Sequence, residues 1–237
     1  LAHLNGELHL NDLSLIDRLY SAEHSFACPA LHESPWGRQT FLPAVPDSPD
    51  TLLTQFVRFS DVMDRMFITG AGWYAFNCMI APFLDGMTDE DMRRFADMVL
   101  DECAYRNAGL PEGSQPIRIA LNWKTPKDIA DIEALGGCAG RNYYQYEVNA
   151  QRFAWAMLQS FYEGGVNAAN FSSPQIRIIL DDSILKTFEG LDFLTHASKV
   201  ALRRPNIYFV FRDKNTVGEN LFWQPRNVIW HRVAINL

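Results

Sequence analysis

No run of lysine or arginine occurs in the chain, and the formal net charge is −7. A nucleic-acid-binding surface needs clustered cations to displace counterions, so that class of partner is excluded. A nucleotide pocket is not, because one pocket needs only a few placed donors. No stretch of 18 apolar residues is present, so no membrane-spanning helix is expected, and no signal peptide is expected either. Cysteine is scarce. The four residues Cys28, Cys78, Cys103 and Cys138 lie far apart and form no CxxC pair, which excludes a zinc ribbon or a thioredoxin-type motif. All four read as reduced thiols in a cytoplasmic setting, with buried packing as the default role. Internal repeats and low-complexity tracts are also lacking.

What is present is an ordinary globular composition. The 237 residues are 48% hydrophobic and 21% charged, with 16 Phe and six Trp to fill a thick sheet–helix core. A single domain of this size buries roughly three quarters of its unfolded surface. The chain opens on Leu1 rather than Met and stops at Leu237 just after a strand-like run. Both ends therefore read as cut, and the chain as one partial domain over residues 1–237.

Along the chain, Gly6–Asp12 alternates and ends in a turn-forming pair, and the Pro-rich stretch 29–50 reads as a surface loop. Asp50 is expected to cap a helix whose apolar positions Leu52, Leu53, Phe56, Val57, Phe59, Val62, Met63 and Met66 recur at helical spacing; Thr69–Trp73 breaks it. Thr88 followed by Asp89-Glu90-Asp91 is an N-cap with first-turn acids, starting a helix that runs to about Arg106. Strands are expected at 117–122, 175–180, 206–211 and 230–236, with helices at about 144–163, ended by Gly164-Gly165, and at 183–203. Strands separated by helices imply parallel pairing with right-handed crossovers, hence an α/β class. Periodicity does not separate an open sheet from a barrel.

Several segments, in order, carry a family resemblance. Gly6-Glu7-Leu8-His9-Leu10-Asn11-Asp12-Leu13 is similar to a glycine-x-hydrophobic-His-x-His-Asp-Leu signature, with Asn11 in place of the second His. Gly70–Phe83 resembles a Gly-x-Gln-Ala-Phe segment running into Leu-Ala-Pro-Phe, without the Gln. Ser114–Trp123 looks like a Gln-Thr-Pro-Phe-Thr-Asn strand, and Lys124-Thr125-Pro126-Lys127-Asp128 like its exit. Phe171–Ile176 resembles a Phe-x-Phe-Pro-Ile-Pro strand, and Ile235-Asn236-Leu237 the start of an Ile-Asn-Leu-Pro-Arg strand. Together these resemble the anaerobic (class III) ribonucleotide reductases, a glycyl-radical family. The match covers about a third of a full-length member. The implied fold is half of a ten-stranded α/β barrel, with parallel strands and crossover helices.

The resemblance implies an oxidoreductase that replaces the 2′-hydroxyl of a ribonucleoside triphosphate by hydrogen. The family stores a radical on a C-terminal backbone glycine and passes it to a finger-loop cysteine, which abstracts the 3′-hydrogen. A barrel holds such chemistry in a dry interior. The catalytic candidates carried over are Cys28, as the thiol on the far face of the substrate, with His9 and Asp12 orienting substrate or fixing the strand end. For Cys28 the competing role is a buried structural thiol, and for His9 and Asp12 a satisfied turn. Asn11, Asn77, Gln115 and Asn122 are candidate substrate-binding residues, whereas Cys78 and Cys103 read as core. No metal ligand and no cofactor is expected within these residues. The radical glycine and a four-cysteine structural zinc site are expected beyond Leu237, and the chain is expected to lack an ATP cone. Implied partners are the substrate, dNTP and ATP effectors, a radical-SAM activating enzyme and a second copy in a homodimer. The finger-loop cysteine is expected between the 206–211 and 230–236 strands, but residues 212–232 contain none. The chain by itself is therefore expected to be inactive. Three readings stand beside this one: a degenerate homologue that binds nucleotide or assembles without reducing, a formate-lyase-like enzyme sharing the barrel, and a plain α/β binding module.

Overall fold

The computed structural model describes residues 9–10, 22–24, 46–66, 71–109, 116–137, 139–164, 173–211 and 235–236. Among the described residues, seven strands and seven helices follow in chain order. Strands β1 (His9–Leu10) and β2 (Ala22–His24) precede helix α1 (Pro49–Met66). Strand β3 (Ala71–Trp73) leads into α2 (Phe76–Ile80), a 3₁₀ turn at Ala81–Leu84 and α3 (Asp89–Ala108). After β4 (Arg118–Asn122) come α4 (Lys127–Ala130), a 3₁₀ turn at Tyr143–Tyr146 and α5 (Glu147–Glu163). Then follow β5 (Gln175–Leu180), α6 (Asp182–Lys186), α7 (Phe188–Arg203), β6 (Ile207–Phe211) and β7 (Ile235–Asn236).

The helix ends follow local chemistry. Ser48, not Asp50, caps α1: its Oγ accepts the Thr51 N–H at 3.3 Å, and Pro49 takes the first helical position, where its missing N–H costs nothing. Thr88 caps α3 as its sequence predicts, accepting the Asp91 N–H at 3.2 Å above three first-turn acids. Gly164 closes α5 at φ 96. The helix expected over 183–203 is two helices, because two caps compete in it. Asp181 accepts the N–H groups of Ser183 and Ile184, and Thr187 accepts that of Gly190 to start a second helix. Gly190 permits this tight junction, since a Cβ there would lie 2.4 Å from the Ile184 carbonyl oxygen.

Strands β2-β3-β4-β5-β6 lie side by side in chain order, and each pairing is parallel. Right-handed crossovers between strands laid down in sequence place all the helices on one face. Accordingly α5 packs on α3, β4 and α7, α6 on β5, and α7 on β6. The strands at 118–122, 175–180 and 207–211 match their sequence expectation. Strands β2 and β3 lie outside it, being three residues long. The fourth expected strand differs: its described part, Ile235–Asn236, pairs antiparallel with His9–Leu10 in a separate ladder. No helical pattern separates residues 211 and 230 in the sequence, so the crossover rule that predicts parallel pairing does not apply there.

Pleating sends alternate side chains to opposite faces. The helix-covered face of the sheet is apolar: Ile119, Leu121, Ile176, Ile178, Leu180 and Ile207 are buried against Trp73, Phe76, Phe153 and Phe193. Phe56 sits 5.1 Å from both Trp73 and Phe76, in tilted geometry favoured by the ring quadrupoles. Two charged residues are buried with partners. Arg106 donates to the Asp61 carboxylate at 2.5 Å and to the Ser60 carbonyl at 3.1 Å, and Arg204 donates to the Phe161 carbonyl at the end of α5 at 3.0 Å.

Candidate functional site

The opposite face of the sheet is of another character. Register places Gly72, Arg118 and Gln175 in one rung, Ala120, Arg177 and Tyr208 in the next, and Asn122, Ile179 and Val210 in a third. Parallel sheets covered on both faces are apolar on both. Here one face carries two guanidiniums, two amides and a phenol, and it is the face away from the described helices. Arg118, Gln175 and Arg177 are half-buried, and Asn122 is buried.

A tight turn builds the C-terminal rim of this face. Ala75, between β3 and α2, adopts the left-handed conformation at φ 45, ψ 42, which costs a non-glycine residue roughly 1–2 kcal/mol. The turn aims Asn77 at the end of β4. There Asn77 Oδ1 accepts the Asn122 N–H at 2.9 Å, while Nδ2 donates to the carbonyls of Asn122 at 2.8 Å and Ala150 at 3.0 Å. Beside it, the Tyr74 hydroxyl reaches both carboxylate oxygens of Asp128 at 3.0 Å.

The candidate residues separate accordingly. The amide of Asn77 is occupied by backbone, so it holds β4, α2 and α5 together. Asn122 is 2% exposed and its Oδ1 has no hydrogen-bond partner among the described residues, so an acceptor remains available at the rim of the polar face. His9 lies in β1, opposite Asn236. Asn11, Asp12, Cys28 and Gln115, with Cys138, lie outside the described residues. Cys78 and Cys103 are buried, as expected of core thiols, and burial pushes both well above the ordinary cysteine range. Among the described residues, no group of three His, Cys, Asp or Glu could hold a metal ion, so the chemistry of a metal site finds no donor set there. No helix among them is long and apolar enough to cross a membrane.

Periodicity does not single out Arg118 or Arg177, although the sequence carries a signal for the second. In Gln175-Ile176-Arg177-Ile178-Ile179-Leu180 a lone charge interrupts an apolar run, which in a strand covered on both faces requires a reason.

Five parallel strands laid in chain order, helices on one face and a polar opposite face define part of an α/β barrel. The family model for anaerobic ribonucleoside-triphosphate reductase matches residues 1–228, and the chain belongs to that family. Solved structures of the anaerobic ribonucleotide reductase from Thermotoga maritima share the fold. The one with citrate in its active site has a TM-score of 0.66 at 12% identity, covering 90% of this chain and 39% of that one. The one with glycerol there gives 0.67 at 13% identity, over 91% and 36%. The complex with dATP and CTP gives 0.65 at 11% identity, over 91% and 37%. The chain thus spans well under half the length of these structures. Among curated proteins, none matches it in sequence.

Proposed function

We propose that these 237 residues supply the first half of the catalytic barrel of a ribonucleoside-triphosphate reductase that makes deoxyribonucleotides in the cytoplasm. The observation that carries this reading is the family match over residues 1–228, joined to a sheet whose polar face carries hydrogen-bonding groups for a substrate. The glycyl radical, when present, supplies the one-electron oxidation that starts reduction; it belongs to residues other than these, as does the structural zinc. This chain's share is to bind and orient substrate and to exclude water. His9, Asp12 and Cys28 remain the proposed catalytic residues, and Asn11, Gln115 and Asn122 proposed substrate contacts. The Thermotoga enzyme has been solved with CTP and dATP, which supports a nucleoside triphosphate substrate and deoxynucleotide effectors here. A radical-SAM activating enzyme and a second copy of the chain complete the proposed partners.

A second reading has its own support: residues 212–232 contain no cysteine, and Asn11 stands where a histidine is expected. It is a homologue that binds nucleotide without reducing it. The discriminating experiment expresses the complete protein anaerobically with its activating enzyme and follows conversion of ribonucleoside triphosphates. Deoxynucleotide product supports the reductase, whereas saturable nucleotide binding with no product supports the second reading. Absence of both defeats each.

A further inference from the structure

Helix α7 turns an unusual stripe to solvent. Its inner side is conventional, with Phe193, Ala197 and Val200 buried in the core. The side facing water on such a helix normally carries the charges. Here the outward stripe is Phe188, Leu191, Thr195, Ser198 and Leu202, all exposed and none charged. Phe188 is 82% exposed and Leu202 91%. The two hydroxyls at the centre are occupied by the helix itself: Thr195 Oγ1 donates to the Leu191 carbonyl and Ser198 Oγ to the Leu194 carbonyl, each at 2.8 Å. Alternating steps of three and four residues make the seven-residue period along which two helices pack. Bulky residues stand at both ends of this seam and small ones in the middle.

The charges beside the stripe decide which helix fits it. Every Asp, Glu, Lys and Arg of α7 lies along one flank, with Glu189 and Asp192 in the first half and Lys199 and Arg203 in the second. Asp192 and Lys199 are seven residues apart, too far for the three- or four-residue pairing that neutralises a helix surface. A parallel copy of the same helix would set acid against acid and base against base. An antiparallel copy, related by a two-fold axis beside Thr195, shares the charged flank with opposite order. Asp192 then meets the partner's Lys199, Glu189 approaches the partner's Arg203, and Phe188 lies by the partner's Leu202. Two-fold symmetry makes each of these contacts twice. The helix is 16 residues long, so it spans only ~24 Å. A single pair of such helices belongs with the small interfaces of weak complexes, under roughly 1,200 Å².

On the proposal above that a second copy of the chain is a partner, we infer that α7 is a surface on which it docks. The two copies pair antiparallel through the stripe, about an axis at Thr195.

The test follows sedimentation velocity of the complete protein from roughly 1 µM to roughly 300 µM, a range suited to a weak interface. Wild type should pass from monomer to dimer. Asp192→Lys and Lys199→Asp should each weaken the dimer about tenfold, and the two together should restore it to within about threefold of wild type, because the pairs re-form with their signs exchanged. Phe188→Asp should also weaken it at least tenfold; an acid in the first helical turn is favourable, so that loss does not come from an unstable helix. A wild-type dimer that none of these variants changes overturns the inference and leaves the second copy as a partner elsewhere on the chain. A protein that stays monomeric throughout overturns the second-copy proposal itself. Should the charge variants not fold, mild oxidation of Thr195→Cys decides. The introduced thiol should link to its own counterpart across the axis, whereas Leu202→Cys should not, since its two copies lie roughly 20 Å apart along the paired helices. No link at Thr195→Cys, or an equally fast one at Leu202→Cys, overturns the antiparallel pairing.

Discussion

The side-chain amide of Asn77 bonds both backbone groups of Asn122, accepting its N–H at 2.9 Å and donating to its carbonyl at 2.8 Å. It thus acts as a one-residue strand at the end of β4, and its second donor fastens the Ala150 carbonyl of α5 at 3.0 Å. Replacing Asn77 by Ala strands three buried backbone groups, each worth about 1–3 kcal/mol, so the loss should be about 3–5 kcal/mol in chemical unfolding. Asn122→Ala removes a side-chain oxygen that has no partner among the described residues. It should cost under about 1.5 kcal/mol while weakening nucleotide binding. Equal stability losses for the two variants would sink the division of roles drawn between them.

Two glycines allow steric and conformational strain to be separated. At Gly190 an added Cβ meets the Ile184 carbonyl oxygen at 2.4 Å and the Ile184 Cα at 2.9 Å, both backbone atoms that cannot swing aside. At Gly86 nothing lies within 4 Å, but φ is +79. Gly86→Ala should cost about 1 kcal/mol from the left-handed backbone alone, and Gly190→Ala about 2–3 kcal/mol from overpacking the α6–α7 junction. Urea midpoints of the two variants check the order, and a reversed order would contradict the packing described here.

His196 predicts a pH dependence. Its ring stacks on Trp155 at 4.7 Å, and its Nε2 is buried with no hydrogen-bond partner among the described residues. Burial lowers its pKa from the ordinary 6.5, Lys199 lowers it further, and Asp192 opposes them. As pH falls through 6.5 the unfolded chain takes up the proton first, so the folded state loses stability from there down to the lowered value and is indifferent above. The melting temperature of the wild-type protein should therefore fall more between pH 7 and pH 5 than that of His196→Gln. Parallel profiles would mean that His196 titrates alike in both states.

Strands β4, β5 and β6 were legible because five or six apolar-rich residues bounded by polar ones leave few alternatives. Strands β2 and β3 were not, since three residues carry no period and Gly72 reads as a breaker. The single helix expected over 183–203 failed for a different reason. Asp181 and Thr187 are both good caps, and periodicity does not count caps. At the site, Asn77 and Asn122 look alike as letters, and only the αL turn at Ala75 decides which amide is consumed by backbone. Period alone does not single out Arg177, because it reports the strand and not the residue that breaks its apolarity.

The thiols offer the most direct check on the proposed chemistry. Cys78 and Cys103 are fully enclosed, and burial raises both well above the ordinary range. For Cys78 the nearby Glu147 and Asp128 add to that rise, against a lowering influence of the Thr125 side chain. Thiolate is the species that reacts, so iodoacetamide at pH 8 should leave both unmodified in the native protein and label both after unfolding. A reducing thiol has the opposite requirement: it must be reached by the substrate and able to give up its proton. If Cys28 has that role, peptide mapping of the complete protein should find it alkylated well before Cys78 and Cys103, and a bound ribonucleoside triphosphate should slow the reaction. Cys28→Ser should then abolish or reroute deoxynucleotide formation while moving the melting temperature little, because the two side chains are nearly isosteric. Alkylation of Cys28 no faster than that of the two core thiols, together with undiminished turnover of the serine variant, would return it to a packing role and leave His9 and Asp12 to carry the proposed site.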